Sequence, residues 1–120
     1  MATLFVTPQQ KIISTPVDLT ATTVTTGYTC PRDGNKLAGV LVSSSGLGAA
    51  TISVRWSVGG STAYDLIVDY SIADNTNELF DFGPLRLASG DLITLQAGTA
   101  DKLHAVIHIA EAGSAQGGPR

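Results

Sequence analysis

The sequence predicts a single all-β domain, an antiparallel β-sandwich of about eight strands with a jelly-roll-like arrangement. Three observations carry this. The chain has 120 residues, close to the commonest size of one domain. Apolar and polar residues alternate with period two over most of its length. Turn-forming residues recur about every ten positions, with no helical spacing between them. Short strands without intervening helices do not build a parallel sheet, which needs crossovers.

The elements follow in order. Thr22 to Cys30 is a Thr/Val/Tyr run ended by Pro31 and the turn-forming Arg32-Asp33-Gly34-Asn35. A second strand is expected over 36–44. In Ile52-Ser53-Val54-Arg55-Trp56-Ser57-Val58 the apolar residues share one face, and Trp56 falls in phase with the core. Gly59-Gly60 then turns a hairpin into Tyr64, Leu66, Val68 and Tyr70, which alternate with Asp65, Ile67 and Asp69. Short strands are expected over 78–82 and 84–87 around Gly83. The Ser89-Gly90-Asp91 turn leads into a strand over 92–97. The last strand, 103–111, puts Leu103, Ala105, Ile107 and Ile109 on one face and His104, Val106 and His108 on the other.

Outside the sandwich, expected over 18–112, lie an N-terminal arm, 1–17, and a flexible tail, 113–120, whose Ser, Ala, Gln, Gly and Pro have little to bury. The arm carries Leu4, Phe5, Val6, Ile12 and Ile13 and is too apolar to stay free in water, so it should dock on its own domain or on a neighbour. MATLFVTPQQ has neither a basic region nor an apolar core of signal type, and no run of roughly 18 apolar residues occurs. Neither export by a signal peptide nor a membrane partner is expected.

Composition narrows function further. A net charge of −3, with seven basic residues spread from Lys11 to Arg120, does not make a phosphate-binding surface, so no nucleic-acid partner is expected. Cys30 is the only cysteine, which excludes an intramolecular disulfide and a CxxC site. His104 and His108 are four apart on a strand, about 13 Å, too far to share one metal ion. Half of the acids, Asp65, Asp69, Asp74, Glu78 and Asp81, lie within seventeen residues but lack the spacing of a calcium loop. No HExxH, GxSxG, Walker A or GxGxxG motif is present. The sequence offers no catalytic residues, metal site or cofactor, and no enzyme is expected. With few aromatics, a carbohydrate- or receptor-binding module is a weaker alternative.

What remains is a surface suited to assembly. Only 14% of residues are charged, against about 25% in a typical domain. There are fourteen threonines, six of them between Thr20 and Thr29. A neutral strand at a sheet edge invites pairing unless charge or proline blocks it. The interface candidates are therefore Leu4, Phe5, Val6, Ile12 and Ile13 of the arm with Thr22, Thr23 and Thr25 of the threonine run.

Several segments together resemble small β-sandwich structural proteins of tailed bacteriophage virions. They are Asp18-Leu19-Thr20-Ala21 through Tyr28-Thr29-Cys30-Pro31, Ala49-Ala50-Thr51-Ile52-Ser53-Val54, Gly59-Gly60-Ser61-Thr62, and Leu85-Arg86-Leu87-Ala88-Ser89-Gly90-Asp91-Leu92-Ile93-Thr94-Leu95-Gln96-Ala97. The resemblance spans roughly 18–111. It implies a virion component, a capsid decoration or cement protein or else a neck, tail or tail-fibre module, acting through contacts with itself and with the major capsid protein or another virion protein. Decoration proteins of this kind are commonly trimers. The chain departs from the pattern after Pro31, where Arg32-Asp33-Gly34-Asn35-Lys36 replaces a shorter turn with glycine near the proline.

Overall fold

In the computed structural model, residues 11–44, 46, 48–83 and 85–112 are described. They form nine strands: β1 Ile12–Leu19, β2 Thr25–Thr29, β3 Lys36–Ser44, β4 Ala50–Val58, β5 Thr62–Ile72, β6 Asn77–Phe80, β7 Leu85–Arg86, β8 Leu92–Ala97 and β9 Leu103–Ala110. No helix occurs among the described residues. One sheet runs β1-β9-β3-β6, with β7 pairing the start of β3; the other runs β2-β8-β4-β5. Every pairing is antiparallel.

With the two-residue β7 set aside, first pairs last, second pairs second-last and so inward to the β4–β5 hairpin, and consecutive pairs fall in alternate sheets. This is one long antiparallel ribbon rolled into two layers, the jelly roll. The roll stacks β1 over β2 on one flank and brings β5 beside β6 on the other, where the Tyr70 and Phe80 rings meet edge to face at 5.0 Å.

The core lies between the layers. Val40 and Val42 of β3, Ile52 and Val54 of β4, Ile93 and Leu95 of β8 and Ile107 and Ile109 of β9 are fully buried. Period-two alternation holds best on β9, buried on both edges by neighbours: Leu103, Ala105, Ile107 and Ile109 point inward, His104, Val106 and His108 outward.

Three expectations needed correction. The boundary drawn at 17/18 cuts through β1, whose eight residues pair in full with β9 from Ile12↔Ala110 to Leu19↔Leu103; residues 12–17 are part of the sandwich. The expected strand over 22–30 is shortened to Thr25–Thr29, because residues 20–24 carry the chain from one sheet to the other. The strict alternation expected of β5 fails. Its register against β4 shifts on either side of Val54, so Ile67 lies opposite Val54, and Tyr64, Val68 and Tyr70 are exposed. A strand with a free edge can take up such bulges, and Asp69 here adopts a φ of 47°. The segments 1–10 and 113–120 lie outside the described residues.

Candidate assembly surfaces

Polar groups that sequence reasoning passed over hold one end of the sandwich together. Asp91, 2% exposed, takes three hydrogen bonds on its carboxylate: Gly59 N–H to Oδ1 at 2.9 Å, Trp56 Nε1–H to Oδ2 at 3.0 Å and Ala88 N–H to Oδ2 at 3.0 Å. Burial alone would raise its pKa. The backbone donors of Ala88 and Gly59, with the Trp56 indole, outweigh that and hold it below the usual carboxylate range. Cys30 N–H donates to the Asp91 carbonyl at 2.8 Å and Gly90 N–H to the Cys30 carbonyl at 2.9 Å, so the same turn also ties down the end of β2. Asn35, fully buried, donates from Nδ2 to the Tyr28 hydroxyl at 2.9 Å and accepts from Ala112 N–H at 2.8 Å. Burial pushes the Tyr28 hydroxyl up, against the lowering effect of that Asn35 bond. The signal in the sequence was the position of each residue beside a glycine in a turn, Gly34-Asn35 and Gly90-Asp91. Trp56 also differs from expectation: it is half-buried at the rim of the core, not inside it.

The titratable groups weighed as possible chemistry are dispersed. His104 Nδ1 lies 3.0 Å from Asp18 Oδ1, and His108 Nδ1 lies 3.0 Å from the Ser14 hydroxyl; each is a cross-strand pair on the outer face of the β1-β9-β3-β6 sheet. Arg55 Nε donates to Asp65 at 2.9 Å and its Nη1 to Gln96 at 2.9 Å; Gln96 in turn donates to the Thr22 carbonyl at 3.0 Å. Asp69 accepts from the Ser53 hydroxyl, Asp74 from Ser44 and from Gly48 N–H, and Asp81 from Gly83 N–H. Among the described residues no group of three His, Cys, Asp or Glu side chains is placed to hold a metal ion. These acids serve turns and cross-strand pairs, one at a time.

The apolar surface is more coherent. Pro16, Val106, Leu41 and Leu79 stand in register across β1, β9, β3 and β6 on the outer face of their sheet. Val106 and Leu41 are half-buried, Pro16 is exposed and Leu79 is 61% exposed. The polar pairs of His104 and His108 lie to either side of this row. On the β5 flank Tyr64, Val68 and Tyr70 are 53%, 58% and 42% exposed. The four residues of the Pro16–Leu79 row are direct cross-strand neighbours, unlike scattered surface apolar residues.

The interface candidates named from the sequence divide. Ile12 is 56% exposed at the start of the β1 edge, and Ile13 is half-buried opposite Ile109. Thr22 and Thr23 are exposed in the bend between β1 and β2, whereas Thr25 is half-buried and pairs with Leu95. Ile12 and the Thr22–Thr23 bend thus lie at opposite ends of the β1 edge. Leu4, Phe5 and Val6 lie outside the described residues.

No protein-family model matches the chain, and no curated protein matches it. Among solved structures, one described as a pentameric capsid protein isolated from metagenomic phage sequences overlays with a TM-score of 0.52 at 18% identity, covering 91% of this chain and 66% of that one. A second structure of the same description, solved by iodide phasing, gives a TM-score of 0.44 at 18% identity, with 91% and 67% covered. The chain spans about two thirds of the length of these proteins. At this identity the likeness is one of fold, and it extends over almost the whole chain.

Proposed function

We propose that this chain is a structural protein of a bacteriophage virion, and within that class a capsid decoration protein that assembles with copies of itself on the head. The observation that carries the reading is the fold likeness to a pentameric phage capsid protein over 91% of the chain. The apolar row Pro16–Val106–Leu41–Leu79 and the low charge support it, since buried interface cores are depleted in charged residues. The mechanism is mechanical. Burial of neutral and apolar surface between copies, and against the major capsid protein across capsomer junctions, opposes expansion of the packaged head.

Leu4, Phe5 and Val6, with Ile12 and the Thr22–Thr23 bend, form the subunit contact on the β1–β2 flank in this reading. The other flank, lined by β5 and β6, differs in character: it carries Asp65, Asp69, Glu78 and exposed Val68 and Tyr70. Two unlike flanks fit a head-to-tail contact that closes into a ring. The sequence resemblance implies a trimer, and the pentameric fold neighbour favours a five-membered ring. Native mass spectrometry of the purified chain, with binding to heads that lack it, tests the proposal. The expected result is a closed oligomer that binds heads and raises the temperature at which they release DNA. A monomer that binds no head would contradict it. Binding only at the portal end would move the protein to the neck or tail.

A further inference from the structure

Beside the β4–β5 turn, a cavity of about 450 Å³ opens between β4, the 33–34 turn and residues 86–91. Its lining is apolar at the half-buried Trp56 with Val58, Leu87 and Ala88, and charged at Asp33, Arg86 and the buried Asp91. The size falls within the range of small-molecule sites, about 300–1,000 Å³.

Trp56 is fixed before any ligand arrives. Its Nε1–H is held by Asp91 at 3.0 Å, and its ring lies 6.0 Å from that of Tyr64 at a tilt of 44°. The rim charges are not spent on each other. The Arg86 guanidinium takes part in no ion pair or side-chain hydrogen bond among the described residues. Asp33 uses Oδ1 to accept from Ser89 N–H at 2.7 Å, and its second oxygen has no hydrogen bond among the described residues.

This combination of groups selects a ligand. An anion drawn to Arg86 would also meet Asp33, and the Asp91 carboxylate lines the same cavity. A cation drawn to Asp33 would meet Arg86. A neutral ring bearing hydroxyls satisfies both, because a hydroxyl donates as well as accepts, and its C–H face matches an indole face. We propose that this cavity binds a neutral saccharide, stacked on Trp56, with Arg86 donating to its hydroxyls and Asp33 accepting from them. The assignment stands on the cavity alone and holds wherever the protein resides.

Trp56 is the only tryptophan, so its emission reads the cavity directly. The full chain is screened on an array of neutral glycans, and the responders are titrated by Trp56 fluorescence, with sialyllactose and spermidine as charged controls. Saturable binding of a neutral glycan is expected. Arg86→Ala and Asp33→Ala should each weaken it roughly tenfold, the loss of one hydrogen bond to a charged group, while Asp65→Ala outside the cavity leaves it unchanged. Thermal unfolding of Arg86→Ala, an exposed position, confirms that the fold survives. No saturable response to any neutral glycan overturns the assignment, as does unchanged affinity in the Arg86→Ala variant.

Discussion

At Asp91 the sequence places a carboxylate where the fold leaves three donors without another partner. Removing it strands the Gly59 and Ala88 N–H groups and the Trp56 indole, all part-buried. Each such orphan costs about 1–3 kcal/mol, and water admitted to the gap recovers part. Asp91→Ala is therefore expected to destabilise the fold by about 3 kcal/mol, read as a lower urea midpoint, with Asp91→Asn costing less because one acceptor oxygen remains. The same carboxylate fixes an acid dependence. Its pKa is depressed in the folded state, so its contribution is complete above the ordinary carboxylate range and is lost as pH falls through the folded value. Urea midpoints measured between pH 7 and pH 2 should fall for the wild type and fall less steeply for Asp91→Asn; parallel curves would remove Asp91 as a cause. Asp91 was readable as a turn residue, but two of its three partners were not. Gly59 and Trp56 lie more than thirty positions upstream, and no local pattern records that distance.

Among the elements, the β4–β5 hairpin was legible because its turn is specified locally. Gly59 and Gly60 have φ of 63° and 77°, and Ser61 N–H donates to the Val58 carbonyl at 3.1 Å. Two successive positive φ values are the requirement of a type I′ turn, which glycine meets without strain. Gly60→Val should cost about 1–2 kcal/mol, the left-handed penalty for a side chain, seen as a lower melting temperature with an unchanged β-sheet spectrum. Gly27 has a different reason. It lies in the irregular stretch of β2 between Thr26 and Tyr28, and a Cβ there would collide with the Ile107 side chain and crowd Leu95 and Val17. Gly27→Val is expected to overpack the core by about 1–3 kcal/mol; relaxing it with Ile107→Val in the same chain should recover part of the loss. Neither the bulges of β5 nor the docking of β1 could be read from alternation. An edge strand is held from one side only, so its register follows the neighbour. Ile12 and Ile13 are apolar enough to predict docking, and Pro16 on the same strand marks an edge position and not a break, because its missing N–H is one the ladder does not need.

For the whole molecule, period and turn spacing were enough for a two-layer antiparallel sandwich, and the order of strands was not. The jelly roll is specified by contacts such as Leu19↔Leu103 and Val42↔Ala105, which join residues far apart in the chain. Surface function was legible only as a tendency, low charge and abundant threonine. The row Pro16–Val106–Leu41–Leu79 draws one residue from each of four strands and exists only once they are aligned. This row faces away from both flanks, so in the proposed assembly it is the surface for the capsid: Leu41→Asp or Val106→Asp should weaken binding to heads by at least about tenfold in dissociation constant while leaving the fold and the oligomer intact, as measured by co-sedimentation with heads and native mass spectrometry. Unchanged binding to heads would assign the capsid contact to another face. A structural role in the virion is decided by quantitative mass spectrometry of purified particles, counting this chain against the major capsid protein. A fixed copy number that scales with the capsid lattice is expected; absence of the chain from infectious particles would overturn that role.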